Sequence, residues 1–291
     1  MMQSTQRAAV AQDTPRRATP RSGGRRGQLL LYLTLRELRT RYRRTLLGWT
    51  WSLVNPLVTA LVFAAVFGAF FRVVPPTGNP SGIDSFWVFM LTGLLPWSMF
   101  SVAINASMGS MIVNAGLIQK VRFQRSTLVV SACVAAAVTL LIEMVVAVVL
   151  VAVFERPLVF AYALWLPLII ALLLGFCVGF GLVLAALNVY FRDMQYLMGL
   201  VLLAWFYLTP IVYPLTLVPD TWGLLQWDLP ARDLVELNPM TRFIAVVRDV
   251  TYDLRSPSLL SLAELALLAG VSLLVGSVVF GRLQGRFAEE L

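Results

Sequence analysis

The side chains that most often do chemistry are scarce in this sequence of 291 residues. Histidine is absent, which excludes histidine-based acid–base catalysis, Ser-His-Asp triads and histidine metal sites. Cys133 and Cys177 lie inside apolar runs, so we expect small core residues rather than a disulfide or a metal pair. No G-x-x-x-x-G-K-[ST] motif is present, so the chain has no P-loop with which to bind ATP. We predict no catalytic residue, no metal site and no cofactor in this chain.

Two carboxylates within uncharged apolar stretches are the remaining candidates. Glu143 lies near the middle of one stretch and Glu264 closer to one end of another. An ionised carboxylate in such a setting is costly, so each should be neutral, paired or exposed to a wet cavity. One acid per stretch, without His or Lys partners, makes a poor proton relay. We therefore favour structural hydrogen bonding and keep channel lining as the alternative.

The composition identifies the setting of these carboxylates. Hydrophobic residues make up 59% of the chain and charged residues only 13%, and the mean hydropathy is +0.79. A soluble globular protein carries about 25% charged residues. The chain has too little charge to cover a surface that faces water, and it is predicted to be an integral membrane protein.

Uncharged runs long enough to cross a bilayer, about 20 residues each, predict an all-α fold with six transmembrane helices. The spans are expected at about 45–71, 85–105, 127–153, 161–187, 194–213 and 258–281, with a short helix after the second. Asn55-Pro56 is predicted to kink the first span. Gly175, Gly179 and Gly181 are predicted to be close-packing positions in the fourth.

Three further segments flank or connect the spans. Residues 1–27 are rich in Arg, Pro, Gly, Ser and Thr and are predicted to be a disordered basic tail, whereas 286–291 would be a short cytoplasmic tail. Residues 28–44 place Leu and Arg on different helix faces, which predicts an amphipathic helix in the membrane interface. Residues 214–257, between spans five and six, are punctuated by proline and rich in leucine. They are predicted to contain short re-entrant helices, which must be buried in protein or line water.

The basic residues predict the orientation. Six spans place both termini on one side, and 17 of the 23 Lys and Arg residues fall on that side. By the positive-inside rule, both termini are expected in the cytoplasm. The net charge of +8 is therefore explained by topology and does not indicate a nucleic-acid partner.

Aromatic residues near the outer half of spans two and five are candidates for contact with a sugar. They are Trp97, Phe100, Phe206, Tyr207 and Tyr213. Aromatic rings stack on the C–H face of a sugar ring and would let a polymer slide. The alternative is an aromatic belt at the membrane interface, which Trp and Tyr favour in any membrane protein.

Three groups of motifs together resemble one family. The first is LRELRTRYRRTLLGW at 35–49, followed by Trp51 and Asn55-Pro56; the second is NAGLIQKVRF at 114–123. The third is LNVYFRD at 187–193, followed by TPIVYP at 209–214 and LNPM at 237–240. Their order and spacing resemble the permease subunit of type-2 ABC exporters for polysaccharides, the family of O-antigen, teichoic-acid and mycobacterial galactan exporters. The resemblance makes residues 28–285 one ABC-2 type transmembrane domain.

The resemblance implies a homodimer in the bacterial plasma membrane, with a separate ATPase subunit that binds ATP and magnesium. Each dimer would move a glycan carried on a polyprenyl diphosphate from the cytoplasm to the outer face through a channel between the subunits. Hydrolysis would take place in the partner, so this chain would not be an enzyme by itself. Membrane lipids would be its remaining partners.

The resemblance also assigns roles to two sets of residues. It places contacts that couple the chain to the ATPase at Asn114, Leu117, Gln119, Lys120, Arg122 and Phe123, with a smaller contact at Arg192 and Asp193. It places a cytoplasmic gate and the access point for substrate at Arg36, Arg39, Arg41, Tyr42, Arg43 and Arg44. Without the resemblance, the first set is a solvated basic loop, the Arg192–Asp193 turn a helix cap, and the second set an anchor on anionic lipid.

Two other functions remain open from the sequence. An ABC-2 exporter of a drug or a lipid would have the same architecture with a smaller cargo. An ion-coupled carrier or a membrane enzyme is disfavoured by the missing histidine and the few charges within the spans.

Overall fold

A computed structural model describes residues 22–41, 48–121, 123–155, 159–224 and 227–290. The helices are α1 (Ser22–Arg41), α2 (Trp51–Phe63), α3 (Phe86–Val113), α4 (Ala115–Lys120), α5 (Ser126–Phe154), α6 (Val159–Ala163), α7 (Leu166–Tyr190), α8 (Met194–Leu208), α9 (Ala231–Leu237), α10 (Pro239–Thr251), α11 (Leu259–Leu283) and α12 (Phe287–Glu290). Short 3-10 helices lie at Gly48–Thr50, Leu215–Leu217 and Gln284–Arg286, and a π-helix at Ala64–Phe70 extends α2. The predicted all-α membrane fold is confirmed, with one small exception described below.

Within the described residues, four helices are long and apolar enough to cross a membrane: α3, α5, α7 and the helix from Leu259 to Arg286. Shorter apolar helices at Val54–Gly68 and Met194–Leu208 coincide with the first and fifth predicted spans. With 15 residues, α8 is about 22 Å long, which is less than the roughly 30 Å of a hydrocarbon core. The six predicted positions are thus helical, and four of them have full spanning length.

Two details of the predicted spans differ in the structure. Helix α2 continues through Pro56, and the departure from α-helical geometry comes later, in the π-helix at Ala64–Phe70. Pro56 lies near the start of its helix, where its missing N–H removes a single backbone hydrogen bond. Helix α3 extends to Val113, eight residues beyond the predicted end, because no charged residue interrupts it. The short helix expected after it is α4.

The core lies where α3, α5, α7 and α11 pack together. Helices α7 and α11 form the most extensive pair, and glycine allows their backbones to touch. A methyl group on Gly179 would overlap the backbone of Ser272, and one on Gly276 would overlap the backbone of Gly179. The prediction of close packing is confirmed at Gly179 and also at Gly181, where an added Cβ would lie 2.7 Å from the Ser107 hydroxyl oxygen.

The segment between α8 and α11 returns to the core after α8 has ended. Helix α10 packs against α3, α6, α7 and α11. Near its start the Phe243 ring lies 5.6 Å from that of Phe176, in the middle of α7, and Tyr252 after its end lies 5.7 Å from Phe89, near the start of α3. This path, from mid-helix depth to one end of the bundle, fits the predicted re-entrant segment. An antiparallel hairpin of Trp222–Leu224 and Trp227–Leu229 was not predicted.

The ends of the described chain are more ordered than the predicted tails. Helix α1 begins at Ser22, within the segment 1–27 that was expected to be disordered, while residues 1–21 lie outside the described part. It packs along α5 and buries Leu33, whereas Leu31 and Leu35 are exposed, as expected for a face turned to lipid. In the predicted tail 286–291, the Phe287 ring is fully buried. A buried aromatic ring anchors this end to the bundle.

Candidate functional site

A direct contact joins α1 to the start of α4. A guanidinium nitrogen of Arg36 donates to the side-chain carbonyl oxygen of Asn114 at 2.5 Å. The Asn114 amide nitrogen in turn donates to the Ser110 carbonyl oxygen in α3 at 2.8 Å. The structure therefore brings together one residue from the predicted gate and one from the predicted coupling segment.

The remaining predicted coupling residues are mostly available at the surface. In α4, Ile118 is buried and holds the helix to the bundle, while Gln119 and Lys120 are exposed and Leu117 is partly buried. Phe123 packs partly against the core, and Arg192 and Asp193 are exposed in the turn between α7 and α8. Among the described residues, no ion pair involves Lys120, Arg192 or Asp193. Arg122 lies outside the described residues.

The predicted gate is only partly described. Arg39 is exposed on α1, and the backbone of Arg41 ends this helix. Tyr42, Arg43 and Arg44 lie outside the described residues. The described part of the predicted gate is therefore α1 and its contact with Asn114.

A second group of contacts holds the C-terminal end of the described chain. The Arg125 guanidinium donates to the Gln284 carbonyl oxygen and lies 5.9 Å from the centroid of the Phe287 ring. The Tyr190 hydroxyl donates to the Leu283 carbonyl oxygen at 2.9 Å. The C-terminal end of α11 is thus tied to the start of α5 and to the end of α7.

The two intramembrane carboxylates have different surroundings. Glu264 in α11 lies 3.8 Å from Arg242 in α10, and both side chains are about 40% exposed. Glu143 in α5 is 6% exposed and lines a cavity of about 600 Å³ between α2, α3 and α5. We call it the polar cavity; its polar lining residues are Asn55, Ser98, Ser101, Asn105, Thr139 and Glu143. Glu264 thus has a basic side chain nearby and Glu143 faces a cavity, and channel lining by either carboxylate stays a prediction.

Two of the five predicted sugar-lining aromatics are core residues in this structure. Trp97 is 6% exposed and Phe100 is fully buried, with the Phe100 ring 5.1 Å from Trp205 and 5.9 Å from Phe176. We therefore correct their role from channel lining to packing: α7 and α8 cover them, and a single sequence does not show which helices meet.

The other three aromatics remain at the surface of the subunit. Phe206 is partly buried against Phe63 and Trp97, and Tyr207 is 59% exposed. The Tyr213 hydroxyl donates to the Tyr207 carbonyl oxygen at 2.9 Å. Tyr213 also lines a largely apolar cavity of about 930 Å³ between α8 and α9, a wall better suited to acyl or side-chain methylene groups than to sugar hydroxyls.

Asn238 joins two of the motifs quoted above. Its carbonyl oxygen accepts from the indole nitrogen of Trp205 at 2.8 Å and from the backbone N–H of Met240 at 3.0 Å. Its amide nitrogen donates to the Thr209 hydroxyl at 2.9 Å. The side chain caps α10 and fixes its start against the end of α8. The LNPM and TPIVYP motifs therefore hold the re-entrant segment in place.

Arg248 is a structural residue that the sequence did not reveal. Its guanidinium donates to the carbonyl oxygens of Pro210 at 2.7 Å, Ile211 at 2.9 Å and Phe89 at 3.4 Å. It also lies 3.7 Å from the centroid of the Phe89 ring. The clamp ties α10 to the chain after α8 and to α3. A signal for such a residue was present in the TPIVYP motif. Its prolines interrupt helical structure, so its backbone carbonyl oxygens need hydrogen-bond donors from elsewhere in the chain.

A polar network closes the same end of the bundle. The Asp253 carboxylate accepts from the backbone N–H of Asn79 at 3.1 Å and pairs with Arg255 at 3.5 Å. The Tyr252 hydroxyl donates to the Pro76 carbonyl oxygen at 2.9 Å. Burial raises the pKa of the Asp253 carboxyl and of the Tyr252 hydroxyl, because desolvation disfavours their charged forms. This network stabilises the loop that precedes α3, whereas the Arg248 clamp holds the chain after α8.

The sequence is similar to known transport proteins over most of its length. The family model described as ABC-2 type transporter matches residues 28–252. The O-antigen export system permease protein RfbA of Myxococcus xanthus is 32% identical over 90% of this chain and 95% of its own length. A protein of the same name from Klebsiella pneumoniae is 30% identical over 90% of the chain and 95% of its own length. The polysialic acid transport protein KpsM of Escherichia coli is 27% identical over 85% of the chain and 90% of its own length.

Proposed function

The chain belongs to the ABC-2 type transporter family, and we propose that it is the membrane-spanning subunit of a polysaccharide exporter. The observation that carries the proposal is that relatives named for O-antigen export and for polysialic acid transport match nearly the whole chain. The described helices are long and apolar enough for this role. A drug or lipid exporter would share the family, but these relatives favour a glycan.

Depletion of the gene tests the cargo. If the chain exports a glycan on a polyprenyl diphosphate, cells without it should accumulate one lipid-linked polymer in the cytoplasm and lose that polymer from the surface. Extraction and size analysis of lipid-linked glycan would identify the polymer. Unchanged amounts of every polymer on both sides of the membrane would refute a glycan cargo.

We further propose that the working unit is a homodimer bound to a separate ATPase in the bacterial plasma membrane, with both termini in the cytoplasm. ATP and magnesium would be bound by that partner, and this chain would supply the channel. The charge distribution supports the orientation, because the exposed ends at α4 and the α7–α8 turn are basic or mixed. Of the five ion pairs of the described residues, four lie within the segment 214–257 on the predicted outer side, and the fifth joins Arg242 of that segment to Glu264 in α11.

In this proposal α4 is the coupling helix, and its motion reaches the gate through Asn114. Asn114 directly precedes α4, and its side chain holds Arg36 of α1. A displacement of α4 by the ATPase would therefore move a residue bonded directly to α1. The Arg-rich face of α1 would attract the diphosphate of the cargo, because a guanidinium pairs well with phosphate oxygens.

Charge reversal at the coupling segment should uncouple transport from hydrolysis. In a variant with Lys120→Glu and Arg122→Glu, two acidic side chains would face the acidic groups of the ATPase that the basic side chains are proposed to contact. Such like-charge repulsion costs several kcal/mol. Polymer export should then fall by about tenfold or more, while the subunit still inserts and the ATPase still hydrolyses ATP. Export and ATP hydrolysis would be measured on the same purified complex.

A matched control is Arg282→Glu with Arg286→Glu. These two exposed residues lie on the same predicted side, outside the coupling segments. The control should transport normally. Equal transport by the Lys120/Arg122 variant and by wild type would show that α4 is not the coupling helix.

A further inference from the structure

The polar cavity is unusual for the region in which it lies. Helices α3 and α5, which form two of its walls, are long and apolar. Polar side chains in such helices are costly unless they are hydrogen-bonded or face water or a ligand. Six polar side chains from three helices nevertheless converge on this one space. Their convergence indicates a space that receives polar groups.

The hydrogen bonds within the wall leave it rich in acceptors. The Thr139 hydroxyl donates to the Ala135 carbonyl oxygen, and the Ser101 hydroxyl donates to the Ser98 carbonyl oxygen. The amide nitrogen of Asn105 donates to the Ser101 carbonyl oxygen at 2.8 Å. Each of these side chains has thus committed a donor to its own helix, while its oxygen can still accept. The lining therefore suits a ligand that brings donors, such as hydroxyl groups.

The charge of the cavity lining favours the sugar part of the cargo over its diphosphate part. Among the described residues that line the cavity, none is basic, and the carboxyl of Glu143 is the one ionisable group. Phosphate groups are negatively charged and pair best with Arg or Lys, so a diphosphate would find no cationic partner among the described lining residues, although the amide groups of Asn55 and Asn105 carry N–H donors. An uncharged sugar brings hydroxyl donors, and Trp51 adds an aromatic wall on which a ring can stack. The volume of about 600 Å³ is within the usual range of roughly 300–1,000 Å³ for small-molecule sites.

We propose that the polar cavity is a binding subsite for an uncharged, hydroxyl-rich sugar segment of the exported polymer. The inference rests on the proposed function and adds the place where sugar, as distinct from diphosphate, is held. It predicts that the cavity is open to water when no polymer is present and is covered when polymer is being exported.

Thiol labelling in native membranes tests this subsite. Cys133 and Cys177 are fully buried and should give little background. Ser101→Cys places a thiol in the wall, and Ser277→Cys places one on the exposed apolar face of α11 as the control. A positively charged, water-soluble methanethiosulfonate reagent is the probe. Membrane vesicles would come from cells that make the polymer and from cells whose polymer synthesis is blocked at a glycosyltransferase.

With polymer present, Ser101→Cys should label about fivefold more slowly, as expected if the subsite is occupied about four-fifths of the time. Ser277→Cys should label at the same low rate in both membranes. If Ser101→Cys were labelled at the same rate in membranes with and without polymer, the proposal would be overturned. The cavity would then be filled by a lipid headgroup or by water whether or not polymer is present. No labelling in either would overturn it too, because the space would then be closed to water.

A second variant keeps the outcome distinct from the proposed function. Asn105→Leu removes a lining amide without adding charge and should slow export of the polymer at unchanged subunit abundance. If wild type exports no polymer at all, the proposed function fails. If wild type exports polymer while Asn105→Leu exports at the wild-type rate and Ser101→Cys is not protected, only the subsite fails.

Discussion

Replacing Gly179 with alanine is expected to destabilise the packing of α7 on α11. The added methyl group would overlap the backbone of Ser272, and backbone cannot move aside as the end of a flexible side chain can. Overpacking of a core costs about 1–3 kcal/mol and sometimes more, and a clash between backbones belongs at the upper end. Separation of the helices would also strain the hydrogen bond from the Ser272 hydroxyl to the Phe176 carbonyl oxygen at 2.9 Å. We expect a loss of roughly 10 °C in the midpoint of thermal unfolding.

The same prediction holds for Gly276→Ala, whose methyl group would meet the backbone of Gly179. Gly270→Ala is the matched control, because it lies on α11 and an added Cβ would have nothing within 4 Å. This control should be neutral or slightly stabilising, since alanine is the better helix former. Thermal unfolding of detergent-purified subunit, followed by size-exclusion chromatography, would compare all three. Similar midpoints for Gly179→Ala and Gly270→Ala would rule out the close contact.

Replacing Arg248 with methionine is the second change with a large expected effect. Methionine fills a similar volume but leaves the carbonyl oxygens of Pro210 and Ile211 without their donors. An unsatisfied buried acceptor costs about 1–3 kcal/mol, so the segment after α8 should lose about 3 kcal/mol of local stability. Because this segment and α10 pack on α3, their loosening should also reduce export. Limited proteolysis from the outer side would report the loosening as faster cleavage within residues 209–217.

Arg242→Met provides the control on the same helix. Its described ion pair is with Glu264 at 3.8 Å, and both side chains are substantially exposed. The Arg242→Met variant keeps the Arg248 donors to the carbonyl oxygens of Pro210 and Ile211. Cleavage within 209–217 should therefore stay near the wild-type rate. Equal protection of Arg248→Met and Arg242→Met would show that the clamp does not hold the segment.

Hydropathy and motif spacing predicted the elements of the fold well. The positions of the long helices follow from uncharged runs, because burial of a backbone in lipid requires helical hydrogen bonding and a length of about 20 residues. The close approach at Gly179 followed from the small size of glycine in an apolar helix. The short helix α4 followed from the polar residues that interrupt the uncharged region between the second and third spans.

Contacts between distant elements were not predictable in the same way. Trp97 and Phe100 have the composition of a sugar-stacking wall, yet they are covered by Trp205 and Phe176 from helices far away in the sequence. Arg248 looked like one more charge on the outer side, and only its three carbonyl partners reveal a clamp. The polar cavity likewise depends on which faces of α2, α3 and α5 meet. A hydrophobic or polar pattern shows which face of a helix is buried, but it does not show which other helix packs against that face.

The most direct measurement of the central claim is ATP-driven uptake of polymer into inverted membrane vesicles. Vesicles from cells that make the polymer would carry lipid-linked glycan on their outer, formerly cytoplasmic surface. If the chain is the membrane subunit of a polysaccharide exporter, adding ATP should move that glycan into the lumen, where an added glycosidase cannot digest it. Protection should vanish in vesicles without the chain. Polymer that stays digestible with ATP, or that is protected equally when the chain is missing, would contradict the proposed function.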